Sequence, residues 1–387
     1  VDPRTSDAAL LPHHPETASI FVALAAYRDP ECLPTLLHLF KTALRPDRLS
    51  VGLVLQLDPA LDPALDPALD PAFPPVWAKR LRILRLGHRE AAGPCWARHL
   101  AHALRHRESY VLQIDSHTRF RPGWDLFLLQ CLARCPDPSR AILTTYPAGY
   151  SPAQTLPSDT RPTLLCPARF DAHGLLRQTG RRCRRPPPEP LPSKLWAAGF
   201  NFGPAAAWEE VPYDPHLRFL FFGEEISMAA RLWTRGWDFF APPEAVVYHL
   251  WSRAGRPWFR ETRDPDKERE RRASLRRVRR LLGVQAGNKV EGEVEGEVEG
   301  EVEGEVEGRY GLGQARSLKE YERLLGVSFR EAKITSRNAV WGGQPGDVFE
   351  GGVLGEGEEE GEAGPGVAGE EVGRVSRLRA LVESFLA

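Results

Sequence analysis

Asp115 and His117 stand two residues apart at the end of an apolar run in SYVLQIDSHTRF. A carboxylate oxygen and an imidazole nitrogen together suit a divalent ion such as Mn²⁺. An ion with open positions grips a diphosphate and neutralises its charge. Open α/β sheets bind ligands just outside the carboxyl ends of their strands, which is where this pair falls. A short Asp-x-His also has an ordinary structural explanation, with Asp115 capping the next turn and His117 satisfied in a loop. His249 follows a second strand-like run and is the natural third ligand, with a structural loop histidine as the alternative. Glu224 and Glu225 open a predicted helix in FFGEEISMAARLWTRGW, where acidic residues also complement the helix dipole. Arg28 and Asp29 close the first apolar run, a place to meet a nucleotide base and ribose. Equally, they pair with each other or cap the following helix.

These residues need a sheet to carry them. SIFVALAA (Ser19–Ala26), RLSVGLVLQ (Arg48–Gln56), RLRILRL (Arg80–Leu86) and the run from Tyr110 to Ile114 read as strands. Leu33, Leu36, Leu37, Leu39 and Phe40 recur at helical spacing, and a second helix is expected within His88–Leu104. The alternation predicts an α/β fold with a mostly parallel central sheet flanked by helices. No GxGxxG follows the first strand, so a dinucleotide-binding start is disfavoured. A helix over Trp124–Cys135 and strands over Ala141–Tyr146 and Asp238–Tyr248 follow. Tyr150–Pro192 reads as irregular, with RRCRR (Arg181–Arg185) as a solvated basic loop.

Low-complexity segments interrupt this pattern. LDPALDPALDPALDPA (Leu57–Ala72) has proline at every fourth position, which forbids regular structure and predicts a flexible inserted loop. The glutamate-rich VEGE repeat predicts a solvated linker. The expected organisation is a flexible N-terminus (1–18) and a catalytic domain (19–285) with the repeat loop at 57–75. An acidic linker (286–308) and a C-terminal extension packed on the catalytic domain (309–345) follow. The chain then ends in an acidic flexible tail (346–387) with a short helix over Val372–Leu386.

Composition narrows the function classes. The chain has 387 residues, 42% of them hydrophobic, enough for a sizeable core. A net charge of −1 argues against general affinity for nucleic acid or membrane surfaces. The basic segment RERRASLRRVRR lacks the interleaved aromatics that stack bases. Six cysteines without CxxC spacing read as free thiols in a reducing compartment, with one or two disulfides as the alternative that an even count allows. No apolar run reaches the roughly 18 residues that a transmembrane helix needs. The first residues lack a basic start and an apolar centre, so no signal peptide is expected. A cytoplasmic location follows, with the Golgi lumen as the alternative if an anchor precedes Val1.

SIFVALAAYRDPEC, YVLQIDSHTRF, AAGFNFG, VPYDPHLRFLFFGEEISMAARLWTRGWDFFAP and VVYHLWSR, in that order, resemble the polypeptide N-acetylglucosaminyltransferases. That group includes cytoplasmic enzymes that add GlcNAc to hydroxyproline of the Skp subunit of ubiquitin ligases, and Golgi mucin-type enzymes of protozoa. The resemblance covers about Ser19 to Arg260, with a weaker match in GRYGLGQARSLKEYERLLGVSF; the two repeats and the acidic tail depart from it. It implies a GT-A fold, Mn²⁺ or Mg²⁺, UDP-GlcNAc as donor and a protein hydroxyl as acceptor. It also implies transfer with retention. Asp115, His117 and His249 would then hold the ion, and Arg28 and Asp29 would contact uridine, with Arg89 and Arg98 as further candidates. Gly199 and Phe200 would let backbone approach the sugar. Glu224 and Glu225 would be catalytic or substrate-binding, and Trp251 would stack on the sugar or line the acceptor groove. The competing function is an inactive nucleotide-sugar-binding or interaction protein on the same fold.

Overall fold

A computed structural model describes residues 17–68, 70–152, 155–259, 264–285, 308–345 and 348–350. The expectations for most of the N-terminal segment, the VEGE linker and the acidic tail lie outside these residues.

The chain begins with β1 (Ile20–Tyr27), α1 (Cys32–Thr42), β2 (Leu49–Leu57), the short α2 (Pro75–Ala78), β3 (Leu81–Gly87), α3 (Pro94–Ala103) and β4 (Tyr110–Asp115). Next come β5 (Thr118–Phe120), α4 (Trp124–Ala133), β6 (Ala141–Thr144), β7 (Ala148–Gly149), β8 (Thr163–Phe170), β9 (Leu176–Arg182) and β10 (Leu191–Ser193). The remainder comprises β11 (Phe200–Pro204), α5 (Ala206–Glu210), α6 (Glu224–Thr234), β12 (Asp238–Ala241), β13 (Val247–His249) and α7 (Pro265–Leu281). It closes with α8 (Leu318–Leu325), β14 (Val327–Ser328) and β15 (Lys333–Ile334).

The main sheet has eight strands in the order β10-β12-β6-β11-β4-β1-β2-β3. The α/β class is as expected. The β4-β1-β2-β3 half is parallel throughout, whereas β11 runs antiparallel to both β4 and β6, and β10 to β12. The apolar runs of β1, β2 and β4 are buried because helices and loops cover both faces of the sheet. Phe21, Val111 and Trp196 belong to one core layer, and Leu24, Leu112 and Trp124 to the other. Gln113 is the polar exception in β4: fully buried, it donates to Ala198 O and to the Tyr213 hydroxyl at 2.6 and 2.7 Å. These bonds satisfy the amide where an orphan would be costly, and they hold the 198–199 turn against β4.

The single strand expected over Asp238–Tyr248 is two, β12 in the main sheet and β13 in a small one, and two further expectations need correction. The segment Tyr150–Pro192 is not irregular: β8 and β9 form an antiparallel hairpin within it, and β10 joins the main sheet. The arginines at the end of β9 and just beyond it are not a free solvated loop. Arg181 Nε donates to Val340 O at 2.6 Å with its guanidinium over the Trp341 ring, and Arg184 Nε donates to Phe349 O at 2.5 Å. They tether the C-terminal segment. That segment is also anchored by Tyr321, fully buried, stacked on Trp233 and donating to Lys194 O at 2.8 Å.

All six cysteines are buried and unpaired. No helix among the described residues is long and apolar enough to cross a membrane.

Candidate metal and transfer centre

β1 and β4 run side by side with Ala25 beside Asp115. The residues after β1 therefore meet the turn after β4. The small sheet β5-β13-β7 closes the same corner, pairing His249 with Thr118. Three chain segments thus converge, and one donor atom from each of Asp115, His117 and His249 lies within 4.8 Å of the others.

The surroundings of each residue favour ligation. Asp115 Oδ2 lies 3.2 Å from His249 Nε2, and Asp115 Oδ1 accepts from Arg98 at 2.7 Å. Burial opposes ionisation of Asp115, but Arg98 and then His249 hold its carboxyl well below the usual range. Its neighbour Gly199 explains the close approach: a Cβ there would come within 2.9 Å of Asp115 Oδ2. His117 Nδ1 donates to Asp29 Oδ2 at 2.7 Å, and Ser116 Oγ donates to the same oxygen at 2.6 Å. Despite its burial, Asp29 is lowered to about 2 by these bonds, so it is ionised and the proton sits on Nδ1. That leaves the Nε2 lone pair of His117 free for a ligand, the usual carboxylate–histidine–metal arrangement. Burial lowers His249 to about 4, so its ring is neutral at physiological pH, and its Nδ1 is buried without a partner. One carboxylate and two imidazoles form an N/O set that Mn²⁺ accepts.

Two glutamates complete the site from the start of α6. Gly223, with φ of 109°, turns the chain into this helix in a conformation that favours glycine. Glu224 is buried and accepts from Arg98 Nη1, at 2.5 and 2.6 Å, and from the Tyr213 hydroxyl. Arg98 therefore bridges Asp115 and Glu224. Burial raises the Glu224 carboxyl, and Arg98 opposes the rise. Glu225 points elsewhere. It accepts from Tyr146 OH at 2.6 Å, from Gln178 Nε2 at 3.0 Å and from the Ala198 amide at 3.0 Å. Burial pushes it up to about 7.

Other expected contacts are placed differently. Arg28 is held by Asp62 of the LDPA loop at 2.6 Å and is not free to meet a nucleotide. Asp29 supports His117 instead of presenting an open carboxylate to a ribose. Arg98 lies between two carboxylates, and Arg89 is exposed beyond the end of β3. The Phe200 side chain is fully buried in the core beside Ile114, so only its backbone could approach a sugar. Trp251 is 47% exposed, with its ring 4.2 Å from that of His249 and 5.9 Å from that of Tyr146, and it walls the opening of the site.

The structure adds Ser116, Tyr146, Gln178 and Arg256 to this centre. Arg256 approaches Asp29 Oδ2 at 3.8 Å and donates to Leu250 O at 2.8 Å, holding the segment after His249 over the site. Tyr146 was legible in part, since AILTTY ends a strand on the same edge of the sheet. Gln178 was not, because its hairpin carries no clear strand pattern.

The family model for Glycosyltransferase (GlcNAc) matches residues 19–72 and 74–331. No curated protein sequence matches the chain. Among solved structures, the chain is similar to GalNAc-T7 with UDP, GalNAc and Mn²⁺, at 16% identity and a TM-score of 0.48. That match covers 69% of this chain and 48% of the other, so the chain spans about half that protein's length. It is also similar to TarS 1–349 of S. aureus with UDP-GlcNAc, at 12% identity and a TM-score of 0.42, covering 68% and 66%. A third similarity is to the mannosyltransferase PcManGT of Pyrobaculum calidifontis with GDP-Man and Mn²⁺, at 12% identity and a TM-score of 0.38, covering 70% and 72%.

Proposed function

The chain belongs to the Glycosyltransferase (GlcNAc) family, and from that premise we propose that it transfers GlcNAc from UDP-GlcNAc to a protein hydroxyl, with retention, on a GT-A fold. The observation that carries this reading is the convergence of Asp115, His117 and His249 beside the buried Glu224 and the half-buried Glu225 at the carboxyl edge of the parallel strands.

Asp115, His117 and His249 would hold Mn²⁺ or Mg²⁺. When bound, the ion supplies Lewis-acid stabilisation of the departing diphosphate. Asp29 keeps the proton of His117 on Nδ1 and Nε2 open, and Arg98 keeps Asp115 ionised. The Ala198–Gly199 turn fits between the two halves of the centre, with the Ala198 amide on Glu225 and Gly199 against Asp115. Glu224, locked to Arg98, is a fixed polar group that shapes the donor side. Glu225, near 7, exchanges its proton in the range where a transferase works, and is the group suited to the sugar or acceptor hydroxyl. Trp251 offers its exposed face to the sugar or the acceptor.

The acceptor class follows the resemblance: hydroxyproline of a Skp-type subunit in the cytoplasm comes first, with serine or threonine next. The six buried free thiols fit a reducing compartment.

The test is UDP release from UDP-GlcNAc by the purified chain, with Mn²⁺ and with EDTA, alongside His117→Ala. Release that needs the ion and falls about 100-fold or more in the variant is expected. The absence of both UDP release and UDP binding would sink the reading.

A further inference from the structure

The LDPA repeat is neither a regular element nor a detached loop. Its aspartates recur every four residues at 58, 62, 66 and 70. In three of the four units the carboxylate folds back on its own turn. Asp58, Asp66 and Asp70 accept from the amides of Ala60, Ala68 and Ala72 at 2.9, 3.0 and 2.8 Å. This is the Asx turn that an Asp-Pro-Ala unit favours. Asp62 departs from the pattern and reaches across the loop. Its Oδ2 accepts from Arg28 Nε at 2.6 Å and from the Asp58 amide at 2.9 Å, and its Oδ1 from Arg28 Nη2 at 3.4 Å. The pair is sheltered, with side chains 16% and 10% exposed.

What Asp62 grips is a strained position. Arg28 has φ of 48°, in the left-handed region that residues with a Cβ avoid. Its amide also donates to Gln56 O at 2.9 Å, at the end of β2. The twist at Arg28 directs the next residue, Asp29, to Ser116 and His117. A continuous line of contacts thus runs from the repeat to the imidazole: Asp62, Arg28, Asp29, His117.

We propose that Asp62 is a positioning residue for the metal centre: by pinning Arg28 in its left-handed conformation it aims the Asp29 carboxylate at His117 Nδ1, and so fixes the direction of the Nε2 lone pair. This rests on the reading of His117 as a metal ligand. The repeat is then part of the centre's support. Only one of its units is committed to that task, because Asp66, the same residue in the next unit, pairs instead with Arg85 of β3 at 2.5 Å.

The experiment is calorimetric titration of Mn²⁺ into the full chain and three variants, without donor or acceptor. Asp62→Ala is expected to weaken Mn²⁺ binding about tenfold, the usual effect of removing support behind a metal ligand. Asp66→Ala, which loses a comparable ion pair in the same loop, is expected to bind like the unaltered chain. Arg28→Gly combined with Asp62→Ala is expected to recover most of the lost affinity, since glycine adopts the left-handed conformation without being held there. Absence of Mn²⁺ binding by the unaltered chain overturns the metal centre and this inference with it. Binding by the unaltered chain that Asp62→Ala leaves intact overturns this inference alone. Equal losses in Asp62→Ala and Asp66→Ala, or no recovery with Arg28→Gly, also overturn it, because they mark general damage to the loop.

Discussion

The two carboxylate groups on either side of the Ala198–Gly199 turn are built oppositely. On one side, Asp115 and Glu224 share the guanidinium of Arg98, and Asp29 faces His117. On the other, Glu225 sits among neutral donors, the Tyr146 hydroxyl, the Gln178 amide and one backbone N–H. Charged neighbours hold Asp115 and Asp29 ionised and ready for a cation, and Arg98 opposes the rise that burial gives Glu224. Neutral neighbours leave burial in control of the second, so it keeps its proton until the pH nears 7. Glu224 and Glu225 are adjacent in the chain, yet a helix start sends them to different environments with different chemistry.

The sharpest way to break the charged side is Arg98→Met. It strands two enclosed carboxylates, and removing one partner of a buried pair costs about 3–5 kcal/mol. A large fall in the denaturation midpoint is expected, and adding Glu224→Gln is expected to restore part of it. A midpoint unchanged by Arg98→Met would mean that the bridge carries no stability.

The neutral side gives a smaller effect with a defined sign. Glu225 is raised from its ordinary 4.5 to about 7, so the folded chain holds a proton that the unfolded chain releases. Stability from this group is therefore full below about pH 4.5 and is lost as pH rises to about 7, by at most about 3 kcal/mol. Glu225→Gln is expected to flatten denaturant midpoints across that window relative to the unaltered chain. Parallel pH profiles for the two proteins would contradict the placement.

How much of this was legible in the sequence depended on the range of the interaction. β1, β2 and β4 were readable because buried parallel strands are continuous apolar runs. Asp115, His117 and His249 were readable because each ends such a run. The β8–β9 hairpin was hidden: Pro167 sits at a register shift, and LRQTGRR mixes polar residues into a half-buried ribbon. Asp29 was found at the right place with the wrong partner, since its histidine lies 88 residues away. Arg28 and Arg98 were read as candidate uridine contacts because the carboxylates that neutralise them, Asp62, Asp115 and Glu224, are distant in sequence. Periodicity reports which face is buried; it says nothing about which buried charges meet.

The central claim is that two imidazoles and one carboxylate hold a single ion. Pulsed electron paramagnetic resonance of the Mn²⁺-loaded chain tests it most directly, because a directly bound imidazole nitrogen modulates the manganese echo. The account predicts nitrogen modulation from two histidines, reduced by about half in His117→Ala and again in His249→Ala. Bound Mn²⁺ with no nitrogen modulation, or modulation unchanged by both substitutions, would contradict it.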